Sequence, residues 1–101
     1  MKCGSLLGID IGSGACKLTL IDFHGNVLAT ATKEYPTYYP KPGWAEQEPE
    51  DWYEALCQAV GDMISSGVRA SEIVAVCLSA PTHTAVVLDR DFRVIRKAIL
   101  W

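Results

Sequence analysis

The residues with the clearest chemical potential form a glycine-rich segment near the start of the chain. Its sequence is Gly8-Ile9-Asp10-Ile11-Gly12-Ser13-Gly14-Ala15-Cys16-Lys17. Gly12 and Gly14 leave room for a polyphosphate to approach the backbone, whose exposed N–H groups can bind phosphate oxygens. Ser13 adds a hydroxyl donor, and Lys17 adds a positive charge for the terminal phosphates. The segment therefore predicts a phosphate-binding loop.

Asp10 sets a condition on this prediction, because a carboxylate repels a bare phosphate. The conflict disappears if Asp10 holds Mg²⁺, directly or through water, since magnesium commonly binds through one or two carboxylates and the phosphates of a substrate. The alternative is an ordinary glycine-rich hairpin turn that has an aspartate beside it by chance.

Two other nucleotide-binding loops are excluded by the sequence. The P-loop requires G-x-x-x-x-G-K-[ST], which the chain lacks. The dinucleotide fingerprint G-x-G-x-x-G begins correctly at Gly12, but Lys17 replaces its third glycine, and that fingerprint must also open a helix. Residues 18–21 instead resemble a strand and lead to a turn at Asp22. The loop is therefore predicted to join two strands.

The first half of the chain predicts an antiparallel meander followed by a loop. Three segments have strand composition and are joined by short turns, at residues 6–11, 17–21 and 27–35. Residues 36–49 contain four prolines and one glycine, residues that interrupt strands and helices. They are predicted to form an irregular loop. Three aromatic side chains in it are expected to anchor it to the body: Tyr38, Tyr39 and Trp44.

The second half predicts a helix, a parallel strand and a hairpin. Apolar residues recur at helical spacing from Trp52 to Ile64, with Pro49 suited to the first turn and Gly67 to a left-handed cap. Residues 73–78 are apolar without alternation, as expected for a strand buried on both faces. A crossover places this strand parallel to the first, which gives a mixed sheet of order 3-2-1-4. A C-terminal β-hairpin is predicted from residues 84–88 and 94–100.

The glycine-rich segment resembles the first phosphate motif of the actin, hexokinase and heat-shock chaperone superfamily, D-x-G-[ST] followed by a lysine on the second strand. Residues 44–52, WAEQEPEDW, resemble the W-x-E-Q-D-P-x-x-W segment of the FGGY carbohydrate kinases. Residues 79–84 with 86–89 resemble the sugar-facing loop of those kinases, and residues 98–101 resemble the start of their I-L-W-x-D-x-R motif. These matches occur in family order over almost the whole chain.

The resemblance implies an α/β fold, the N-terminal segment of an actin-like ATPase (ribonuclease H-like) lobe. Residues 1–101 are then an incomplete lobe of a longer, two-lobed, xylulokinase-like sugar kinase. The implied reaction transfers the γ-phosphate of Mg·ATP to a hydroxyl of a ketose or polyol. Because the family's catalytic aspartate and second lobe come later in its sequence, no catalytic residue is expected in this segment, which alone should be inactive.

The resemblance also implies roles for individual residues. Asp10 would hold the metal, and the ATP phosphates would be bound by Gly12, Ser13, Gly14 and Lys17. The sugar pocket would be lined by Thr82, His83 and Trp101. On the residues alone, a histidine satisfied at a strand end is the preferred interpretation of His83, and Trp101 is equally a core side chain. Glu46, Gln47 and Trp52 are interpreted as structural.

Two departures from the family pattern affect these expectations. Thr82 stands where glycerol kinases have arginine and xylulokinases have methionine, which argues against glycerol and leaves the sugar open. Glu48 stands where the family usually has aspartate, and glutamate is a weaker N-cap. The rival hypothesis is a non-enzymatic, actin-like or chaperone-like nucleotide-binding module. A kinase should continue after Trp101 with an aspartate and an arginine within a few positions.

Composition limits the expected partners. The net charge of −3 does not indicate a nucleic-acid-binding surface. No apolar run approaches the length of a membrane span. No secretory leader is apparent, so a cytoplasmic protein is expected, in which the four cysteines form neither disulfides nor a metal site. An uncovered sheet edge, the terminal hairpin or apolar surface near Trp101 is expected to make the segment self-associate.

Overall fold

A computed structural model describes residues 4–100, so Trp101 lies outside the described residues. The chain begins with an antiparallel meander of β1 (Ser5–Ile11), β2 (Ala15–Ile21) and β3 (Val27–Glu34). The turn between β2 and β3 is closed by Asp22, whose carboxylate accepts from the backbone N–H groups of His24 and Asn26. Gly25 completes this turn with φ +85°, a conformation that favours glycine.

Helix α1 (Pro49–Ser65) covers one face of the meander and packs mainly against β2 and β3. Its buried residues fall on one stripe, Ala55, Ala59 and Met63. They meet side chains of the inward face of the sheet, which include Leu7, Ile11, Cys16, Leu18 and Leu20. Each buried Leu or Ile contributes about 1.5–3 kcal/mol relative to an exposed one.

The ends of α1 follow the predicted signals. Pro49 lies in the first turn, while Glu50 and Asp51 place negative charge at the positive end of the helix dipole. Glu48, at the N-cap position, makes no side-chain capping bond. At the other end, Val68 N–H donates to Met63 O and Gly67 adopts φ +109°. This is a Schellman cap, in which glycine takes the left-handed position.

A 3₁₀ turn at residues 70–72 leads into β5 (Ile73–Ser79), which pairs in parallel with β1. The sheet order is β3-β2-β1-β5. The predicted order 3-2-1-4 is therefore confirmed, because the strand predicted as fourth is the observed β5.

The prediction that this strand is buried on both faces is wrong. Val74, Val76 and Leu78 are 62%, 58% and 62% exposed. A parallel strand is buried only when elements cover both of its faces. Val76 and Leu78 are level with Leu7 and Ile9, on the same sheet face as α1, but α1 packs over β2 and β3, so β5 forms an apolar edge.

The segments on either side of the helix also differ from their predictions. Residues 36–48 are irregular except for a bridge between Tyr38 and Glu46 and for β4 (Glu46–Gln47), which pairs with β6 (Ala98–Ile99). The terminal hairpin is reduced to two isolated bridges, Ala85 with Ile99 and Leu88 with Val94. Ile99 thus pairs with Ala85 of the expected hairpin on one side and with Glu46 of β4 on the other. Propensity marks strand-forming residues but does not choose between partners distant in sequence.

The three aromatic residues expected to anchor the 36–49 loop are between 40% and 72% exposed. Tyr39 is 72% exposed, and Tyr38 and Trp44 are also exposed. Lysine ammonium groups lie over two of the rings, Lys97 over Tyr38 and Lys41 over Trp44. These rings therefore interact with cations at the surface rather than with the core.

Candidate functional site

The glycine-rich loop is the turn between β1 and β2, as predicted. Gly12 N–H donates to Ala15 O at 2.9 Å and closes the turn, while Ser13 and Gly14 are exposed at its tip. A Cβ on Gly14 would meet nothing within 4 Å, and one on Gly12 would lie 3.3 Å from Ala15 O. The protein itself therefore does not require glycine at position 14, which leaves space above the loop for a ligand.

Every carbonyl oxygen of the loop accepts a hydrogen bond from the protein. The Tyr35 hydroxyl lies 2.5 Å from Gly12 O and 3.0 Å from Ala15 O. The backbone N–H of Tyr35 donates to Gly14 O at 3.1 Å, and Gln47 Nε2 donates to Ser13 O at 2.6 Å. Tyr35 and Gln47 thus hold the loop through its carbonyl oxygens, from the buried side of the loop.

This arrangement orients the backbone amides of the loop. The described peptide bonds are all trans. In a trans peptide the C=O and the following N–H point in opposite directions. Because the carbonyls of Gly12, Ser13 and Gly14 turn inward, the N–H groups of Ser13, Gly14 and Ala15 turn away from the inner donors. Successive outward N–H groups are a common anion-binding arrangement.

Asp10 and Lys17 lie beside the loop on the sheet face opposite α1. They are paired across the β1–β2 ladder, and Asp10 is level with Ser79 at the end of β5. Both side chains are exposed, and neither forms an ion pair with another residue in the described range 4–100. A depression of about 300 Å³ is lined by Gly8, Ile9, Asp10, Lys17, Thr19, Cys77 and Ser79.

These residues fit a magnesium ion that arrives with a phosphate ligand. Asp10 offers one accessible carboxylate, and magnesium normally takes one or two carboxylates, substrate oxygens and waters. Among residues 4–100, no group of three or more His, Cys, Asp or Glu side chains could hold a metal. Within residues 4–100, Asp10 is therefore not part of a preformed cluster of metal ligands.

Two side chains behind the loop were missed as functional candidates. Gln47 is 1% exposed, and Trp52 Nε1 donates to its Oε1 at 2.9 Å. Tyr35 is also buried, and burial, reinforced by the Cys16 and Asp10 charges, raises the pKa of its phenol to about 12. The phenol therefore keeps its proton and remains a donor at neutral pH. The signal that could have identified Gln47 is its place in residues 44–52, the segment with a tryptophan at each end. Gln47 was instead interpreted as structural.

The predicted sugar-binding residues lie in a different part of the fold. Thr82 and His83 are exposed in the loop that follows β5, a few residues beyond Ser79. His83 adopts φ 55°, and Thr84 Oγ1 donates to Thr82 O at 3.2 Å. Within the described residues, no hydrogen bond joins these two residues to the glycine-rich loop. The structure brings together Asp10, Lys17 and the loop, whereas Trp101 lies outside the described residues.

Two basic residues near the end of the described range, Arg96 and Lys97, make local contacts. Arg96 forms an ion pair with Glu46, the β4 residue next to Gln47. The Arg96 side chain is 43% exposed and the Glu46 side chain 12%, so the pair is only partly exposed. Among residues 4–100, no helix is long and apolar enough to cross a membrane.

Comparison with known proteins places this geometry in a family. Residues 5–101 match the N-terminal domain model of the FGGY family of carbohydrate kinases. The chain belongs to that family. The family resemblance noted from the sequence is thereby confirmed.

Individual relatives agree with this assignment. The chain is 40% identical over 97 residues to the xylulose kinase of Bacillus subtilis, covering 95% of this chain and 19% of the relative. It is 31% identical to the glycerol kinase of Thermococcus gammatolerans, covering 95% and 20% of the two chains. The crystal structure of a xyloylose kinase from Brucella ovis superimposes with TM-score 0.89 at 35% identity, covering 96% and 21%.

The family members confirm the predicted fold class, a mixed α/β segment of the actin-like kinase type. The chain spans about a fifth of the length of the relatives it matches.

Proposed function

We propose that this chain is an incomplete N-terminal lobe, residues 1–101, of a longer two-lobed enzyme that phosphorylates a sugar with ATP. The observation that carries the proposal is the loop with its carbonyls held inward, beside the exposed carboxylate of Asp10 and the exposed ammonium group of Lys17. Membership of the FGGY carbohydrate kinases supports the reaction class.

The loop and its two charged neighbours would bind the phosphates of ATP. The backbone N–H groups at Ser13 and Gly14 would donate to phosphate oxygens, with the Ser13 hydroxyl as a further donor. The glycines at 12 and 14 keep this approach open, and the Lys17 ammonium adds positive charge. These fixed donors cost no reorganisation when charge shifts during phosphoryl transfer, which is the main source of catalysis in such reactions.

Asp10 would hold Mg²⁺ beside the phosphates, directly or through water. When bound, the ion neutralises phosphate charge and orients the transferred group. The contribution of this chain is to keep the Asp10 carboxylate fixed in the β1–β2 ladder, next to Lys17.

The acceptor hydroxyl would come from a ketose or polyol. Thr82, His83 and Trp101 are proposed to line its pocket, with His83 donating to or accepting from a sugar hydroxyl. Relatives named as xylulose kinases make xylulose the first substrate to test. The base that activates the hydroxyl is proposed to lie outside this segment, and the cytoplasmic location inferred from the sequence stays a prediction.

A coupled assay of the full-length enzyme tests the proposal, with ATP and a panel of ketoses and polyols that includes xylulose and glycerol. We expect ATP-dependent phosphorylation of one or more sugars. Asp10→Asn should lower kcat by about 100-fold or more, since loss even of groups that support a metal ligand costs about 10–100-fold. Asp91→Asn, at an exposed turn, is the matched control and should be active.

Three results would count against the proposal. Nucleotide binding without turnover on any sugar would favour the rival, a non-enzymatic nucleotide-binding module. An Asp10→Asn enzyme with unchanged kcat would remove the metal assignment. Sugar-dependent turnover by residues 1–101 alone would mean that the segment is not an incomplete lobe.

A further inference from the structure

We propose that Gln47 is a positioning residue for the phosphate loop, and that Trp52 fixes the orientation in which it acts. The inference rests on the proposed function, because it concerns the same loop. Gln47 would not touch ATP. It would act through the Ser13–Gly14 peptide, whose N–H group points to the ligand side.

Both N–H groups of the Gln47 side-chain amide donate hydrogen bonds. Its Nε2 donates to Ser13 O at 2.6 Å and to Thr37 Oγ1 at 2.9 Å. An amide NH₂ has two donor hydrogens, so both are used. The side chain is 1% exposed, and water therefore cannot substitute for a lost partner.

Trp52 determines which way this amide faces. The indole Nε1–H can only donate, and it donates to Gln47 Oε1 at 2.9 Å. On the other side, Ser13 O can only accept. If the amide were flipped, its NH₂ would face the indole N–H and its oxygen would face a carbonyl oxygen. The flipped orientation is excluded by both contacts, so the donor is held against the loop.

The position of Gln47 in the fold makes this contact rigid. Gln47 lies in β4, paired with Ala98 of β6, and Leu100 N–H donates to Ala45 O beside it. Trp52 lies in the first turns of α1. The loop contact is therefore supported from a strand pair and from a helix, although Ser13 and Gln47 are 34 residues apart in sequence.

A buried glutamine that only stabilises the fold would give a different result from one that positions the loop. A purely structural residue lowers stability when changed but leaves ligand binding by the folded protein intact. A positioning residue also controls the direction of the Gly14 N–H, and its replacement should weaken nucleotide binding selectively. The two roles are separated by measuring KM for ATP and KM for sugar on the same variant.

Gln47→Glu in the full-length enzyme is the main test. The variant keeps the shape but places an oxygen against Ser13 O. Because Ser13 O loses its donor and the loop loses this support, we expect KM for ATP and the Kd for ADP to rise by about tenfold or more. KM for sugar should be unchanged. Amide hydrogen exchange at residues 13–15 should become faster, a readout that does not need turnover.

Two further variants complete the experiment. Trp52→Phe keeps an aromatic ring and removes only the N–H that orients the amide, so it should shift KM for ATP in the same direction by a smaller factor. It also keeps the test decisive if Gln47→Glu does not fold. Gln58→Glu is the control, since Gln58 lies on the exposed face of α1, where its side-chain amide donates to Glu54 of the same helix. It should match the wild type.

The outcomes separate this inference from the proposed function. Wild-type protein that binds no ADP overturns both. Wild-type protein that binds ADP, with Gln47→Glu and Trp52→Phe giving the same Kd for ADP and the same loop exchange, overturns the role of Gln47 alone. Equal increases in KM for ATP and for sugar would also overturn it, because they would indicate a general loss of structure.

Discussion

The Tyr35 hydroxyl lies within hydrogen-bond distance of the Gly12 carbonyl, at the point where β1 ends and the glycine-rich loop begins. The same hydroxyl reaches Ala15 O on the far side of the loop. One side chain at the end of β3 thus bridges the two ends of the turn. The loop is consequently braced by a residue that belongs to the meander itself.

Tyr35→Phe should change how stability depends on pH in the alkaline range. Burial raises the pKa of the Tyr35 phenol from its ordinary value of 10.0 to about 12. The folded protein therefore holds a proton that the unfolded chain loses, and the stabilising contribution is fully present below pH 10 and is lost as the pH rises towards 12. The variant should be less stable at pH 8, by about 1–3 kcal/mol, but should lack this part of the alkaline decline.

Urea unfolding of the full-length enzyme at several pH values between 8 and 12 measures this difference. Tyr39→Phe is the control, because Tyr39 is exposed. Parallel pH profiles for wild type and Tyr35→Phe would contradict the predicted role of the buried phenol.

Gly14→Ala should weaken ATP binding without weakening the fold. Its Cβ would meet no protein atom within 4 Å, and Gly14 does not adopt a left-handed φ, so alanine should be neutral or stabilising by about 0.4–1 kcal/mol. The added methyl would instead stand where the proposed phosphate approaches. We expect KM for ATP to rise by about tenfold or more, since small misplacements at a reacting group have large effects.

Gly61→Ala provides the matched comparison. Gly61 lies within α1 and also has open space at its Cβ position, so alanine should stabilise the helix by about 0.5–1 kcal/mol. It should leave KM for ATP unchanged. If Gly14→Ala behaves like Gly61→Ala in both thermal unfolding and kinetics, the open space above the loop does not bind phosphate.

The 101-residue segment in isolation should self-associate through β5. This strand is at the sheet edge, and Val74, Val76 and Leu78 present their side chains to solvent. An uncovered apolar edge can pair with a second chain. Light scattering over a concentration series should show growth in mass, and a Val74→Lys, Leu78→Lys double variant should reduce it.

Phe92→Asn is the control for exposed apolar surface in general. Phe92 is 82% exposed in a turn with φ 64°, a conformation that asparagine adopts more readily. It should leave the association unchanged. A segment that is monomeric at high concentration would show that the β5 edge does not recruit a partner.

The elements predicted from local pattern were the ones most closely confirmed. The meander, α1 with its Gly67 cap, and the parallel strand each have a periodicity or turn composition that is visible in a few consecutive residues. The exposure of β5 was not predictable in this way. The apolar composition of β5 indicates a strand suited to burial, but whether another element covers β5 depends on the rest of the lobe.

The candidate site shows the same division. Asp10, Lys17 and the glycines are recognisable because their chemistry is carried by residue type and spacing. The inner supports of the loop are not, since Gln47 and Tyr35 reach it from residues distant in sequence. A glutamine within a proline-rich stretch has no local feature that distinguishes a buried contact from a surface side chain. The β4–β6 pairing and the hydrogen bond from Trp52 hold it behind Ser13.

The β4–β6 pairing also affects the order in which the segment folds. The turns of the meander close over a few residues, whereas Gln47 must wait for Ala98, a partner that is synthesised after α1 and β5. Closing so long a loop costs more entropy than closing a hairpin, and contacts distant in sequence form slowly. On the ribosome, the sheet and helix should therefore assemble first. The inner side of the phosphate loop would acquire its Gln47 support last, so a nascent chain should hold a recognisable fold before it can bind nucleotide.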